Sequence, residues 1–257
     1  MDFLQKNAAL NSFDFYHEYD YAEFWEGRNY EDFADKIAIA RLLSLVDTHH
    51  NKILDLGVGI GRITPLYQNL WRNLILMDSS RWQINELRKK KFTNNCVEVL
   101  EGVADNIPIL SEACDALLCV RVFHHINNTK RVIKEMHRVL ELRGYVLLEI
   151  LNKLHFKNRV VSFFRKNSDF HSESKISIAI NNQDVIFLNH NPKLIKRQLE
   201  SHGFQVVETL SVSNLRLSFF KKFVPLPVLI HIEKIVQKPL ALFWFGPSIY
   251  FLAKKVS

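Results

Sequence analysis

Three alternate glycines follow a short apolar run and an acidic residue between Ile53 and Arg62, in the stretch Ile-Leu-Asp-Leu-Gly-Val-Gly-Ile-Gly-Arg. Glycine has no Cβ, so such a turn can adopt positive φ and let its backbone approach a ligand closely. A helix beginning near Gly61 would aim unpaired N–H groups and a partial positive charge at the same point. The turn is therefore typical of a cofactor cradle.

A second acidic residue, Asp78, lies 17 residues after Gly61 and ends an apolar run that begins at Leu74. A carboxylate at the end of a second strand can accept hydrogen bonds from both hydroxyls of a ribose, as in nucleotide-type cofactor sites. The dinucleotide fingerprint G-x-G-x-x-G would require a further glycine where this chain has Arg62. The spacing therefore indicates a nucleotide-type cofactor but not the dinucleotide class.

The elements that position these residues alternate between strand and helix. Helical spacing extends from Glu31 to Val46, from Ser80 to about Lys91 and from Asn127 to Leu140. Strand patterns follow the first two strands at 97–101, 114–120, 144–151, 204–213 and 248–255. This alternation predicts a doubly wound α/β sheet of seven strands, covered by helices on both faces.

Length and composition predict one globular domain over residues 1–257. The three cysteines lie in apolar runs without C-x-x-C spacing, so we expect buried thiols and no metal site. Met1-Asp2 opens an acidic, aromatic segment without the features of a signal peptide, and no apolar run is long enough to span a bilayer. We therefore expect a cytoplasmic protein, with association at a membrane surface left open.

Charge is distributed unevenly along the chain. Residues 1–150 carry 18 Lys and Arg against 21 Asp and Glu, whereas residues 151–257 carry 16 against 6. The basic second part indicates an anionic partner such as lipid headgroups, a phosphorylated substrate or nucleic acid, or else a solvated basic surface.

Five ordered blocks of sequence resemble the class I S-adenosylmethionine-dependent methyltransferases, in particular the broad small-molecule group that includes quinone-biosynthesis enzymes. The blocks are Asp55 to Arg62, Met77 to Ser80, Gly102 to Pro108, Asp115 to Leu118 with Phe123 to Ile126, and Arg138 to Leu140 leading to Gly144. Their order and spacing match over roughly residues 50–150. The resemblance implies a Rossmann-like methyltransferase sheet with S-adenosylmethionine as cofactor.

The resemblance also implies which residues hold the cofactor. Asp55 and the backbone of the glycine turn would hold the methionine end, Asp78 the ribose, and Ala104 with Ile107 the adenine. The complete set is Asp55, Gly57, Gly59, Gly61, Asp78, Ser79, Ala104, Asp105, Ile107, Cys119 and Val120. The chain has Val103 where the family usually has an acid that holds the adenine amino group, and Asp105 is expected to take its place.

Residues on the acceptor side are predicted from their position after strands or before the core. His124 and His125 follow the fourth strand, where a histidine can act as general base or simply hold the loop. Arg121 can bind an acidic substrate or pair with a nearby acid. Tyr21, Trp25 and Arg28 belong to a predicted N-terminal helical lid, residues 1–50, ahead of the cofactor-binding core at 51–151.

Two insertions, residues 152–190 and 214–247, leave the predicted sheet near its last strands and mix aromatic with basic residues. We expect them to cover the substrate site. The function predicted is metal-independent methyl transfer to a small or lipophilic acceptor, with peripheral contact to an anionic membrane as a further option. The alternatives are a basic RNA methyltransferase, although no RNA-binding motif is present, and a cofactor-binding interaction protein without turnover.

Overall fold

The computed structural model describes residues 10–11, 25–93, 96–165, 174–180 and 183–257. Its strands are β1 (Leu10–Asn11), β2 (Lys52–Leu56), β3 (Asn73–Asp78), β4 (Val97–Glu101), β5 (Cys114–Cys119), β6 (Leu140–Leu151), β7 (Ser174–Ile180), β8 (Gln183–Asn189), β9 (Phe204–Val212) and β10 (Ser248–Lys255). Its α-helices are α1 (Asn29–Leu43), α2 (Arg81–Arg88), α3 (Thr129–Val139), α4 (Phe156–Arg165), α5 (Pro192–Ser201), α6 (Ser218–Phe223) and α7 (Leu226–Ala241).

Seven of the strands form one sheet in the order β4-β3-β2-β5-β6-β10-β9. The strands β2 to β6 pair in parallel, and β10 lies antiparallel between β6 and β9. The chain moves outward from β2 to β4 and then returns to the other side of β2 at β5, which opens a crevice at the carboxyl ends of β2 and β5. The predicted doubly wound sheet of seven strands is confirmed.

Helices cover both faces of this sheet, as the alternation of elements predicts. On one face Ala38 and Leu42 of α1 share a buried core with Leu252 of β10. On the other face Ile133 of α3 and Leu199 of α5 share a second core with the opposite sides of the strands. Strands covered on both faces are mostly apolar, and every residue of β5 is buried, including Asp115.

Side-chain caps set the beginnings of three helices. Ser80 accepts a hydrogen bond from the backbone N–H of Gln83 at 3.4 Å and begins α2. Asn128 and Asn191 cap α3 and α5 in the same way. Such caps satisfy N–H groups that have no partner within the helix, which is why these boundaries are readable from the sequence.

The predicted helix near Gly61 is wrong. Only a single 3-10 turn, Thr64–Leu66, follows the glycine turn before β3. Two buried aromatic side chains hold this connection close to the sheet: Tyr67 donates a hydrogen bond to Asp55, and Trp71 Nε1 donates one to Asp115 at 2.8 Å. These tertiary contacts override the helical pattern of the segment.

The predicted lid and insertions are described in part. Within residues 1–50, α1 packs on the sheet, while Tyr21 lies outside the described residues. Residues 152–190 contain α4, β7 and β8, and the last two form a small second sheet with β1. Residues 214–247 contain α6 and α7, and α7 packs against α1 and β9. In the part of the chain that the structure describes, no helix has the length and apolar character needed to cross a bilayer.

Candidate functional site

A cavity of about 450 Å³ lies at the carboxyl ends of β2, β3 and β4 and beside the loop after β5. Its lining residues all fall between Leu56 and Val132. The position is the topological switch point of the sheet, where ligands bind in doubly wound folds. The volume is in the range of pockets that hold cofactor-sized molecules.

The glycine turn forms one wall of this cavity, with Gly57 at φ +79° and Gly59 at φ +55°. A Cβ added to Gly57 would lie 2.1 Å from Cγ2 of Val122, which also lines the cavity. The backbone at Gly57 and the loop after β5 are therefore in direct contact, and position 57 has no room for a side chain.

The carboxylate of Asp78 is the polar centre of the cavity wall. Its Oδ2 accepts a hydrogen bond from Gly59 N at 2.8 Å, and its Oδ1 accepts one from Ser80 N at 2.9 Å. Asp78 thus joins the glycine turn to the start of α2. A carboxylate accepts hydrogen bonds only, which is the chemistry that hydroxyl groups of a ligand require.

The loop after β4 forms the opposite wall with Gly102, Val103, Ala104 and Asp105. It is a tight turn in which Asn106 N donates to Val103 O at 3.1 Å. Arg131 Nε donates to Asp105 O at 3.0 Å and lies 3.5 Å from its carboxylate. The turn therefore holds backbone groups and one carboxylate at the cavity edge.

The structure brings together six of the eleven residues predicted to hold the cofactor. The six on the cavity wall are Gly57, Gly59, Asp78, Ser79, Ala104 and Asp105. The five that do not line the cavity are Asp55, Gly61, Ile107, Cys119 and Val120.

Asp55, predicted to hold the methionine end, does not line the cavity. Its side chain is buried and accepts a hydrogen bond from Tyr67 Oη. Burial raises the pKa of Asp55 to about 7, against the lowering effect of the Tyr67 hydrogen bond. Through this hydrogen bond the carboxyl group joins the strand that precedes the glycines to the connection that follows them, and so stabilises the glycine turn.

The two histidines differ in position. His125 lines the cavity, whereas His124 is buried behind it with its ring edge against Phe187 at 4.6 Å between centroids. Burial lowers the pKa of His125 to about 3 and the pKa of His124 well below its ordinary value. Both imidazoles are therefore neutral at physiological pH, and so low a pKa makes His125 a weak base.

Arg121 reaches the cavity from a buried ion-pair network. Its guanidinium donates to the carboxylate of Asp35 at 2.9 Å and lies 3.7 Å from Glu149. Asp35, which is fully buried, also accepts from Arg62 at 3.1 Å. Of the two roles considered for Arg121, pairing with nearby acids is confirmed.

Trp25, a residue of the predicted N-terminal lid, packs on this network. The Cζ atoms of Arg62 and Arg121 lie 3.7 and 5.5 Å from the centre of its ring. Cationic guanidinium groups are attracted to the negative face of an aromatic ring. Arg28 is exposed and immediately precedes α1.

Sequence reasoning missed several residues of the site. Gln83, Asn127 and Asn128 line the cavity, and Asp35 supports it from the middle of α1. Asn127 and Asn128 are the first residues of the helix predicted after the fourth strand, which is a signal that favours both a cap and a place at the sheet edge. Asp35 has no such signal, because only the packing of α1 brings it to Arg121.

Within the described ranges, no group of three or more His, Cys, Asp or Glu side chains could hold a metal ion. The cavity instead suits a nucleotide-type cofactor: Asp78 provides acceptors for hydroxyls, and the glycine turn lines the cavity at Gly57 and Gly59 without side chains.

Comparisons with known proteins agree with this geometry. A family model for a methyltransferase domain matches residues 54–148, which include all of the residues that line the cavity. A demethylmenaquinone methyltransferase of Thermotoga maritima is 28% identical over 177 residues, 63% of this chain and 73% of that protein. A chloroplastic 2-methyl-6-phytyl-1,4-hydroquinone methyltransferase of Oryza sativa is 30% identical over 103 residues, 39% of this chain and 31% of that protein.

The fold is shared with a crystal structure from Listeria monocytogenes that is assigned to the S-adenosylmethionine-dependent methyltransferases. Its TM-score is 0.62 at 16% identity, and the match covers 87% of this chain and 98% of the other. The strand order, the glycine turn, the acid that ends β3 and the matching domain model lead to one conclusion. This chain carries a methyltransferase domain over residues 54–148, in the fold of the S-adenosylmethionine-dependent methyltransferases.

Proposed function

We propose that this enzyme transfers the methyl group of S-adenosylmethionine to a small, lipophilic, quinone-type acceptor without a metal ion. The observation that carries the proposal is the cavity at the switch point, walled by Gly57, Gly59 and Asp78. The names of the two relatives above, a demethylmenaquinone and a hydroquinone methyltransferase, support the acceptor class. The apolar walls at Val122 and Ile126 are compatible with it.

The residues proposed to hold the cofactor are those on the cavity wall. Asp78 would accept the ribose hydroxyls, and the backbone of Gly57 and Gly59 would approach the methionine end. Ala104 and Asp105 would contact the adenine. Asp55 is proposed to act through the turn rather than by contact, since its carboxyl group is bonded to Tyr67.

When bound, S-adenosylmethionine supplies an electrophilic methyl group on a sulfonium. The chain must then hold the acceptor atom in line with that group and keep water away. His125 fits this task as a neutral wall residue, because its lowered pKa leaves it uncharged. The positive charge of Arg121 is offset by Asp35 and Glu149, so the cavity need not select an acidic acceptor.

The insertion 152–190 is proposed to cover the acceptor side. Phe187 of β8 packs against the ring of His125 at 5.2 Å between centroids. His190 Nε2 is hydrogen-bonded to Phe123 O at 2.8 Å, which ties the end of β8 to the same loop. An aromatic side chain behind the cavity-lining histidine supports an acceptor that is itself aromatic or apolar.

Asp78→Ala is expected to weaken S-adenosylmethionine binding by about 1.5–3 kcal/mol, the range for hydrogen bonds to a charged group. Isothermal titration calorimetry measures the change. Glu101→Ala is the matched control, because Glu101 ends the neighbouring strand in register with Asp78 but pairs with Arg81 outside the cavity wall. Equal affinities for Asp78→Ala and the control would remove Asp78 from the proposed site.

The acceptor class is tested by incubating the enzyme with methyl-labelled S-adenosylmethionine and reduced quinones that lack a ring methyl group. We expect mass spectrometry to find one added methyl group per product when EDTA is present. With the Asp78→Ala variant in place of the enzyme, we expect no methylated product. Label incorporated into RNA, or dependence on an added divalent metal, would contradict the proposal.

A further inference from the structure

The last long helix, α7, directs polar residues inward and apolar residues outward. Its buried positions are Leu229, Glu233, Gln237 and Ala241, four residues apart, so they form one stripe on the helix. Two of these four side chains are polar. A helix that simply covers a sheet has the opposite distribution.

The inward polar groups belong to a specific network. Glu233 accepts hydrogen bonds from Tyr30 Oη at 2.6 Å and from Ser213 N at 2.8 Å. Gln237 Nε2 donates to Ala34 O at 3.0 Å. These bonds fix the rotation of α7 on α1 and on the turn after β9, so the outward face is set by the fold.

The outward face is apolar. Val228, Ile232, Ile235 and Leu242 lie on one stripe opposite the buried one, at spacings of three, four and seven residues. The large side chains exposed on α6, α7 and the turn that follows are Phe219, Phe223, Val228, Ile235, Leu242 and Phe243, with exposed fractions between 47% and 78%. We call this surface, together with Lys222 and Lys234, the α6–α7 face.

The charge of the α6–α7 face has one sign. Residues 214–247 contain five Lys and Arg and a single acid, Glu233, which is buried. Lys221 and Lys238 pair with Glu31 and Glu208 of other segments. The amino groups of Lys222 and Lys234 form no ion pair within the described part of the chain, and both residues are exposed.

This charge distribution selects among the surfaces that could cover the face. In a symmetric dimer the face would meet itself, which would bring lysines against lysines. An anionic bilayer offers both an apolar interior for the phenylalanines and negative headgroups for the lysines. We propose that the α6–α7 face is a peripheral docking surface for anionic membranes. The inference goes beyond methyl transfer, because binding to a bilayer by this face does not depend on the cofactor cavity.

The test is co-sedimentation of the full chain with vesicles of phosphatidylcholine, either alone or mixed with phosphatidylglycerol. We expect binding to the anionic vesicles and a decrease in binding when salt is added. The double substitution Lys222→Glu/Lys234→Glu is expected to weaken this binding about tenfold or more, because each lysine near an anionic surface contributes about fivefold. Ile235→Ser/Leu242→Ser should also weaken it.

Matched controls separate this face from general charge and hydrophobicity. Lys134→Glu/Lys193→Glu makes the same charge change on α3 and α5, at the opposite side of the sheet. Leu110→Ser/Leu142→Ser removes two exposed leucines elsewhere. Both controls should retain vesicle binding, and calorimetry should find S-adenosylmethionine binding unchanged in every variant.

Three results would overturn the proposal. The unsubstituted chain fails to bind anionic vesicles, or the control pairs lose binding as strongly as the α6–α7 pairs. The third is a dimer, detected by sedimentation equilibrium, that Ile235→Ser/Leu242→Ser dissociates while the chain does not bind vesicles. That result would assign the face to a second copy of the chain. Since S-adenosylmethionine binding is measured in the same variants, these results leave the proposed methyl transfer untouched.

Discussion

Asp35→Ala is expected to lower the free energy of unfolding by about 3–5 kcal/mol, the cost of removing one partner from a buried ion pair. Asp35 is fully buried and accepts hydrogen bonds from the guanidinium groups of both Arg62 and Arg121. Without it, two largely buried cations lose their shared counter-charge. Urea unfolding followed by circular dichroism measures the change.

Asp32→Ala is the matched control for this experiment. Asp32 also bonds to Arg62, at 2.6 Å, but its side chain is 22% exposed and its other partner is the half-buried Lys36. A pair at the surface contributes about 1 kcal/mol or less. If Asp35→Ala destabilises the protein no more than Asp32→Ala, the buried network around Arg121 stabilises the fold no more than a surface ion pair does.

Gly57→Ala is expected both to destabilise the protein and to abolish cofactor binding. Gly57 has φ +79°, where an alanine costs about 1–2 kcal/mol. The new Cβ would also lie 2.1 Å from Cγ2 of Val122, and relieving such an overlap costs about 1–3 kcal/mol more. Because Val122 lines the cavity, its displacement should change the cofactor site. Thermal unfolding and calorimetry with S-adenosylmethionine measure the two effects.

Gly27→Ala separates the two causes. Gly27 has φ +70°, but no atom lies within 4 Å of an added Cβ, so this variant carries the backbone strain without the overlap. We expect a smaller loss of stability and full cofactor binding. A Gly57→Ala variant that loses as little as Gly27→Ala and still binds the cofactor would show that the contact between Gly57 and Val122 does not matter.

Much of the sheet was predictable from local chemistry. The strands β4 and β10 begin and end as predicted. In β10 a nearly continuous apolar run reflects burial on both faces, whereas β4, at the edge of the sheet, has glutamates between its apolar residues. The starts of α2 and α5 were predictable because Ser80 and Asn191 satisfy the free N–H groups of the first turn. These features depend on residues near one another in the chain.

The connection after Gly61 shows where local chemistry is insufficient. Its pattern is helical, yet the chain forms one 3-10 turn because Tyr67 and Trp71 bond to acids on β2 and β5. One of these contacts also engages Asp55. The sequence indicates an acid beside a glycine turn, but no pattern in it predicts that the carboxyl group bonds to Tyr67, 12 residues further along the chain.

The amino-acid sequence by itself determined the class of this protein: the order of five motifs, the alternation of strand and helix, and the acid that ends the second strand of the core. Only the tertiary structure decided how charges are used. Asp35 meets Arg121 across 86 residues, and Glu233 meets Tyr30 across 203. The physical reason is that motifs are local and periodic, whereas the partner of a buried polar group depends on how helices rotate and pack. The packing of α1 pairs Arg121 with Asp35, one of the two roles considered for it, and the rotation of α7 directs its apolar stripe outward.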